Sequence, residues 1–420
     1  MTATAPTCTH AHPYEKPRFS LADIFKRFGA AHRKTHKLSI LQHRAMRAIM
    51  SCRTRLLGGE VKACVQCGYV DERWLSCRNR NCPKCQGSLR WKWVGARLAE
   101  LLPIPYYHAV TTLPAFLNVV ALYNKETIYE IFYQASAAAL VAFGWDEKFL
   151  GAQLGFIAIL HTWGQTLNYH VHWHFVVTGG GITADEKRWK PLPYRKKFLF
   201  PVEAVSIVIR GKFIALLDAA YRKGKLKFPP ELGYLNHPAE FEDFKAKIWQ
   251  QAFYCYAKPP FAGPEKLIKY IGAYTHRVAI SDHRLLAIND EEIKFSYKDY
   301  RDKDEQGEVK RKEMSLSWHV FIQRWLWHVV PKGFRRIRYG GFLAGNTRRK
   351  KIALARQLLG VLQQQVISQQ PTTSWGNDFD PALEAKCPLC QSGTMVLIES
   401  IPRPWERPSG FTRRRHVDSS

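Results

Sequence analysis

The sequence predicts an α+β fold: a mostly antiparallel sheet with helices on one or both faces, a small cysteine-stapled module on its N-terminal side and a basic C-terminal region. Three observations predict it. Between residues 100 and 290, apolar runs of period two alternate with longer runs of helical period. The stretch from Phe149 to Ala184 contains no Lys, Arg, Asp or Glu in a chain of formal charge +28, so it belongs to a core. Six of the ten cysteines fall between His36 and Trp93, among many arginines.

The bulk numbers narrow the class. At 420 residues and 46% hydrophobic content the chain has room for two or three domains and a sizeable core. An excess of 63 Lys+Arg over 35 Asp+Glu points to a polyanionic partner, nucleic acid first and a membrane surface second. The polar start, Met1 to Phe19, does not read as a secretory signal. Leu101 to Tyr123 is long enough to span a bilayer, but Pro103, Pro105, Pro114, His108, Thr111, Thr112 and Asn118 interrupt it, so it reads as strand plus turn. A cytoplasmic, reducing compartment follows, where paired cysteines are expected to bind metal rather than form disulfides.

Residues 1–35 read as an N-terminal tail, and 36–95 as a zinc-binding, DNA-binding module. Cys64-Val-Gln-Cys67 and Cys82-Pro-Lys-Cys85 are two C-x-x-C knuckles separated by fourteen residues, close to the ribbon spacing for one structural Zn²⁺. Cys52 and Cys77 are left over, as packed thiols or as part of a second site. Arg53, Arg55, Arg73, Arg78, Arg80, Arg90 and Lys92 surround the knuckles, which suggests a DNA-facing surface.

Residues 100–290 carry the sheet. Tyr106–Thr112 reads as a strand and Tyr123–Phe143 as an Ala-rich helix. Gly155–Trp163 is an apolar strand that Gly164 to Asn168 turns back as a hairpin into His170-Val-His-Trp-His174. Strand alternation projects His170, His172 and His174 to one face, and Tyr169, Val171, Trp173 and Phe175 to the other. A single histidine on an apolar strand is ordinarily satisfied by hydrogen bonds. Three at this spacing favour a metal, with His161 opposite either His170 or His172. Helices follow at Pro201–Arg222 and Glu240–Gln251, then a short strand at Tyr254–Ala257. Gly263-Pro264 opens a further helix, with Pro in its first turn. Lys266, Tyr270 and Tyr274 recur there at i, i+4, i+8 and share a face. A tyrosine pair alone is commonly core, but Lys258 precedes it and Thr275, His276 and Arg277 follow at once.

Residues 291–360 read as a basic C-terminal part: an exposed hairpin or loop at Lys294–Lys312, an aromatic amphipathic helix at Ser315–Val330, and cationic clusters at Phe334–Arg338 and Arg348–Lys351. Residues 361–420 read as a Gln-rich linker and a disordered tail with an orphan knuckle, Cys387-Pro-Leu-Cys390. Cys8, His10 and His12 complete that knuckle only if the termini meet.

Taken together, these residues resemble a family, the two-tyrosine HUH (His-hydrophobe-His) transposases of rolling-circle insertion sequences, of the insertion-sequence ninety-one type. The resemblance runs through Ser76–Cys85, His161–His174, Tyr256–Glu265, Tyr270–Ser281 and Pro331–Gly341, in the family's order, and covers most of the chain from His36 to about Arg349. Val171 stands where the family often has Pro. The resemblance implies an HUH endonuclease-like sheet and a catalytic Mg²⁺ or Mn²⁺ held by His172 and His174. The third ligand is His161, as in the three-histidine arrangement of relaxases, with His170 in reserve. It further implies Tyr270 and Tyr274 as nucleophiles forming 5′-phosphotyrosine, Lys258, Lys266 and Arg277 as phosphate contacts, and Cys64, Cys67, Cys82 and Cys85 as zinc ligands. The expected partners are single-stranded element ends and target DNA, with no membrane, in a bacterial cytoplasm at the nucleoid. Two alternatives use the same features. A plasmid relaxase or rolling-circle replication initiator shares the chemistry, but no G-x-x-x-x-G-K-[ST] helicase motif is present. A non-catalytic zinc-ribbon DNA-binding regulator leaves the histidines and tyrosines unexplained.

Overall fold

The computed structural model describes residues 17–86, 97, 100–192, 199–258, 267, 272, 277–361 and 386–406. Its first element is a helix, α1 (Leu21–Thr35), inside the segment expected to be a tail. The Asp23 carboxylate caps it by accepting from the Ser20 N–H and Oγ–H, each at 2.8 Å. Leu21, Ile24, Phe25 and Phe28 recur at helical spacing and are buried, which is why this stretch folds rather than trailing. Helix α2 (Ile40–Ser51) begins with a capping box between Ser39 and Gln42. Strands β1 (Gly59–Cys64) and β2 (Val70–Trp74) form a hairpin whose turn is the first knuckle.

Next come β3 (Tyr106–Thr112), a short helix α3 (Asn118–Tyr123) and the long α4 (Lys125–Trp145). The charge-free stretch forms β4 (Gln153–Trp163) and β5 (Tyr169–Ile182), followed by β6 (Trp189–Pro191). Helices α5 (Val202–Arg222) and α6 (Pro238–Trp249) lead to β7 (Tyr254–Lys258). Strands β8 (Leu285–Ile288), β9 (Glu292–Lys303) and β10 (Val309–Ser317) make a separate three-stranded antiparallel sheet that runs into helix α7 (Trp318–Trp327). Strand β11 (Ile337–Gly341), helix α8 (Arg348–Leu358) and strand β12 (Met395–Ile401) complete the order.

The central sheet is antiparallel, in the order β11-β4-β5-β3-β7 with β6 beside β5. Its two faces differ as the alternation requires. Tyr169, Val171, Trp173, Phe175 and Val177 of β5 join Phe156, Ala158 and Leu160 of β4 in the largest core, against α4, α5 and α6. The other face carries the histidines. Part of the predicted cationic surface is absorbed into packing on the helical side: Arg338 lies over the Tyr133 ring at 4.5 Å and pairs with Glu130 at 2.6 Å.

The N-terminal module is built into the rest of the chain rather than tethered beside it. Helices α1 and α2 share a core with α7, β8 and β9 that includes Cys52, Cys82, Cys85 and Trp163. The Asp282 carboxylate accepts the Leu21 N–H at 2.9 Å, and Arg80, expected to face DNA, donates to the Phe334 carbonyl at 2.8 Å. The C-terminal expectation is corrected in part, since the Gln-rich linker and the last dozen residues lie outside the described residues. Residues 386–406 are ordered, because β12 pairs antiparallel with β1 and completes a three-stranded sheet, β12-β1-β2.

Candidate active site and metal centres

The β4–β5 hairpin sets the histidine register. Its turn closes through the Gly164 N–H and the Asn168 carbonyl at 3.0 Å, with Leu167 at φ +59°. This places His161 directly opposite His172, and Ile159 opposite His174. The ligand atoms of His161, His172 and His174 lie within 4.8 Å of one another. His170, the reserve ligand, is outside this trio, although its ring centroid is 4.8 Å from that of His172.

Hydrogen bonds orient two of these rings. His172 Nδ1–H donates to the His170 carbonyl at 2.8 Å, which leaves Nε2 as its lone-pair nitrogen. His174 Nδ1 is 3.0 Å from Nε2 of His108, on β3. With Nδ1 protonated, His174 likewise presents Nε2 to the cluster. His108 is the residue that sequence reasoning missed; its only signal was a histidine in the middle of an apolar strand. Burial pushes the His172 pKa down to about 3, with the nearby His170 and Arg277 charges adding to the effect. Burial, then His161 and His172, carry His174 well below the usual histidine range, and burial also lowers His170. His170, His172 and His174 are therefore neutral at physiological pH, the form that ligates metal. An all-nitrogen donor set of this kind fits a divalent transition ion better than Mg²⁺, which prefers oxygen.

The charge of Arg277 acts on both His172 and His174, which brings this expected phosphate contact into the histidine neighbourhood. Lys258 closes β7 in register with His108. Tyr270, Tyr274 and Lys266 lie outside the described residues. Leu267, from the same segment, is helical and buried against Tyr106 and Val176. Val176 alternates onto the same face of β5 as His172 and His174.

The cysteines are arranged differently from the predicted set. Cys64, Cys67, Cys82 and Cys85 do not form one site. Cys82 and Cys85 cluster with Cys52 and Cys77, whereas Cys64 and Cys67 cluster with Cys387 and Cys390. The reason is topological: Cys64 and Cys67 sit on the β1–β2 turn, while Cys82 and Cys85 are packed into the α1–α2–α7 core. Within the inner cluster Cys85 Sγ lies 3.4 Å from Cys52 Sγ and 3.6 Å from Cys77 Sγ. These thiol contacts pull the four ionisations apart, with Cys52 and Cys85 lowered and Cys77 and Cys82 raised. The four soft donors, converging where Cys52, Cys82 and Cys85 are buried, fit zinc. Sequence spacing hid this set because Cys52 and Cys77 belong to no C-x-x-C pair.

Comparison with known proteins gives consistent matches. The family model "Putative transposase" matches residues 155–351, and the family model "Transposase zinc-binding domain" matches residues 24–113. The chain is 41% identical over 396 residues to the putative transposase y4qJ of Sinorhizobium fredii, covering 92% of this chain and 98% of that protein. It is 28% identical over 303 residues to the transposase for insertion sequence element IS801 of Pseudomonas savastanoi pv. phaseolicola, covering 70% of this chain and 68% of that protein. No solved structure matches.

Proposed function

Because the chain belongs to the transposases of the insertion-sequence ninety-one type, we propose that it nicks single-stranded element ends and transfers the strand through 5′-phosphotyrosine links, as in rolling-circle transposition. The observation that carries this reading is the convergence of His161, His172 and His174 on the face of the sheet where Leu267 packs. That leucine is three residues ahead of Tyr270 in sequence.

In this reading His161, His172 and His174 hold a divalent ion, Mn²⁺ in preference to Mg²⁺. When bound, it supplies charge neutralisation on the scissile phosphate and on the leaving 3′ oxygen. Tyr270 or Tyr274, as phenolate, attacks the scissile phosphorus. The bond from phosphorus to the 3′ oxygen breaks, leaving a free 3′-OH and a 5′-phosphotyrosine. The bond energy stays in the covalent link, so no nucleotide cofactor is needed, and two tyrosines allow two strands to be held at once. Arg277, with Lys258 and Lys266, contacts phosphate oxygens. The Cys52, Cys77, Cys82, Cys85 cluster holds a structural zinc that fixes α1 and α2 against α7.

The test is a cleavage reaction with full-length protein, a labelled single-stranded oligonucleotide carrying an element end, and Mn²⁺ or Mg²⁺, resolved on a denaturing protein gel. The expected result is a covalent protein–DNA adduct that EDTA abolishes and that the double variant Tyr270→Phe, Tyr274→Phe does not form. Binding of the correct end without adduct, in both metals, would overturn the reading in favour of a non-catalytic DNA-binding regulator.

A further inference from the structure

The β12-β1-β2 sheet brings together two knuckles from opposite ends of the chain. We propose that Cys64, Cys67, Cys387 and Cys390 form a second structural zinc site, split between the N-terminal module and the C-terminal segment. Half of its ligands lie beyond both matched family regions, which end at residues 113 and 351. The site is independent of the tyrosine chemistry.

Distances make the first argument. Cys64 Sγ lies 3.7 Å from Cys390 Sγ, and Cys67 Sγ lies 3.5 Å from Cys387 Sγ. Four sulfurs about 2.3 Å from a tetrahedral zinc are about 3.8 Å apart, whereas disulfide sulfurs are about 2.05 Å apart. The spacing belongs to a shared ion.

Backbone geometry makes the second. In each knuckle the residue after the second cysteine takes a left-handed conformation, Gly68 at φ +70° and Gln391 at φ +59°. This conformation turns the chain sharply past the thiols. Backbone N–H groups point at the sulfurs: Gln66 N–H at Cys64 Sγ (3.4 Å), Leu389 N–H at Cys387 Sγ (3.4 Å) and Gly393 N–H at Cys390 Sγ (3.3 Å). Such donors stabilise thiolates, the form that binds metal. Gly393 also permits the close approach of the two knuckles, since a Cβ there would stand 2.3 Å from Cys64 Sγ.

Pairing makes the third. Cys64 is the last residue of β1 and lies opposite Met395 at the start of β12, so strand register delivers both knuckles to one end of the sheet. The two sulfur contacts join residues 320 and 326 positions apart in sequence. Neither knuckle has four ligands alone. The ion therefore clips the C-terminal segment onto the N-terminal hairpin.

The experiment counts zinc by elemental mass spectrometry in full-length protein and in the double variant Cys387→Ser, Cys390→Ser. In parallel, it maps which cysteines N-ethylmaleimide modifies under native conditions. The expected result is a loss of one zinc per chain in the variant, with Cys64, Cys67, Cys387 and Cys390 protected in the parent and Cys64 and Cys67 reactive in the variant. Zinc held at the histidines or at the inner cysteine cluster is common to both proteins and cancels. Equal zinc in parent and variant would overturn the proposal. So would alkylation of Cys64, Cys67, Cys387 and Cys390 in the folded parent while the inner cluster stays protected, a result that does not depend on the variant folding. A disulfide arrangement would protect the cysteines without any loss of zinc, and counts against the proposal. No nuclease assay enters, so failure here is distinguishable from failure of the transposition mechanism.

Discussion

The histidine centre and the split cysteine ribbon both gather side chains that could hold a metal ion, but they are assembled at different ranges. His161, His172 and His174 come from one hairpin, β4–β5, and strand alternation with one tight turn is enough to converge them. Cys64, Cys67, Cys387 and Cys390 come from opposite ends of the chain and meet only because β12 pairs with β1. The first depends on local geometry, and its failure should be chemical. The second depends on long-range pairing, and its failure should be structural. The inner cluster of Cys52, Cys77, Cys82 and Cys85 lies between them, local in sequence yet shared with a core that reaches Trp325 of α7.

The sharpest break of this comparison is the double variant His172→Ala, His174→Ala. It should lower metal-dependent nicking at least ~100-fold, because the charge stabilisation lost is worth several kcal/mol. DNA binding should stay near the parent's. Nicking that survives would remove the histidines from the active site.

Cys82→Ser with Cys85→Ser should act in the opposite sense, through the fold. Both residues are buried in the core of α1, α2 and α7, and structural zinc contributes folding energy outright. A large fall in thermal midpoint is expected, clearly greater than that of Cys387→Ser, Cys390→Ser measured side by side. Equal falls would mean that the outer ribbon is as central to the fold as the inner site.

His108→Gln sharpens the histidine side. His108 orients His174 and is not itself a ligand in this reading, so Mn²⁺ affinity should weaken ~10–100-fold, as when other outer-shell partners are lost. The readout is Mn²⁺ titration by electron paramagnetic resonance, in which a merely structural role would leave the dissociation constant unmoved.

Stability against pH reports on the buried histidines outside the trio, His328 and His32. Burial holds His328 near 3 and His32 near 4, against about 6.5 in the unfolded chain. Between those values the unfolded state binds more protons. Stability should therefore fall as pH drops from about 6.5 toward 3, whatever the metal content. Urea midpoints taken down this range in metal-loaded protein check it, and a flat profile would contradict the burial of these two rings.

The smallest expected effect is that of Gly393→Ala, which presses a methyl group on Cys64 Sγ. Zinc should leave the outer ribbon faster while nicking is unchanged, measured as the rate of zinc release to a chromophoric chelator.

Much of the central domain was legible in the chain. The charge-free run became β4 and β5, the alternation put Tyr169, Val171, Trp173 and Phe175 into the helical core, and the Ala-rich and apolar-periodic stretches became α4 and α5. Periods of two and 3.6 are local properties, so a sequence displays them directly. The first helix is legible too, since Ser20 and Asp23 mark its start and Leu21, Ile24, Phe25 and Phe28 recur at helical spacing.

What the sequence determined by itself is the inventory and its local geometry: imidazoles on one face of a strand, thiols in knuckles, and a transposase-like order of motifs. Only the tertiary structure decided which knuckle meets which, that His108 backs His174, and that Arg80 and Arg338 serve packing as much as surface charge. The reason is physical. Turn and strand periodicity act over a few residues, whereas a shared ion or a buried hydrogen bond depends on which distant elements pack together, and spacing along the chain carries no record of that choice.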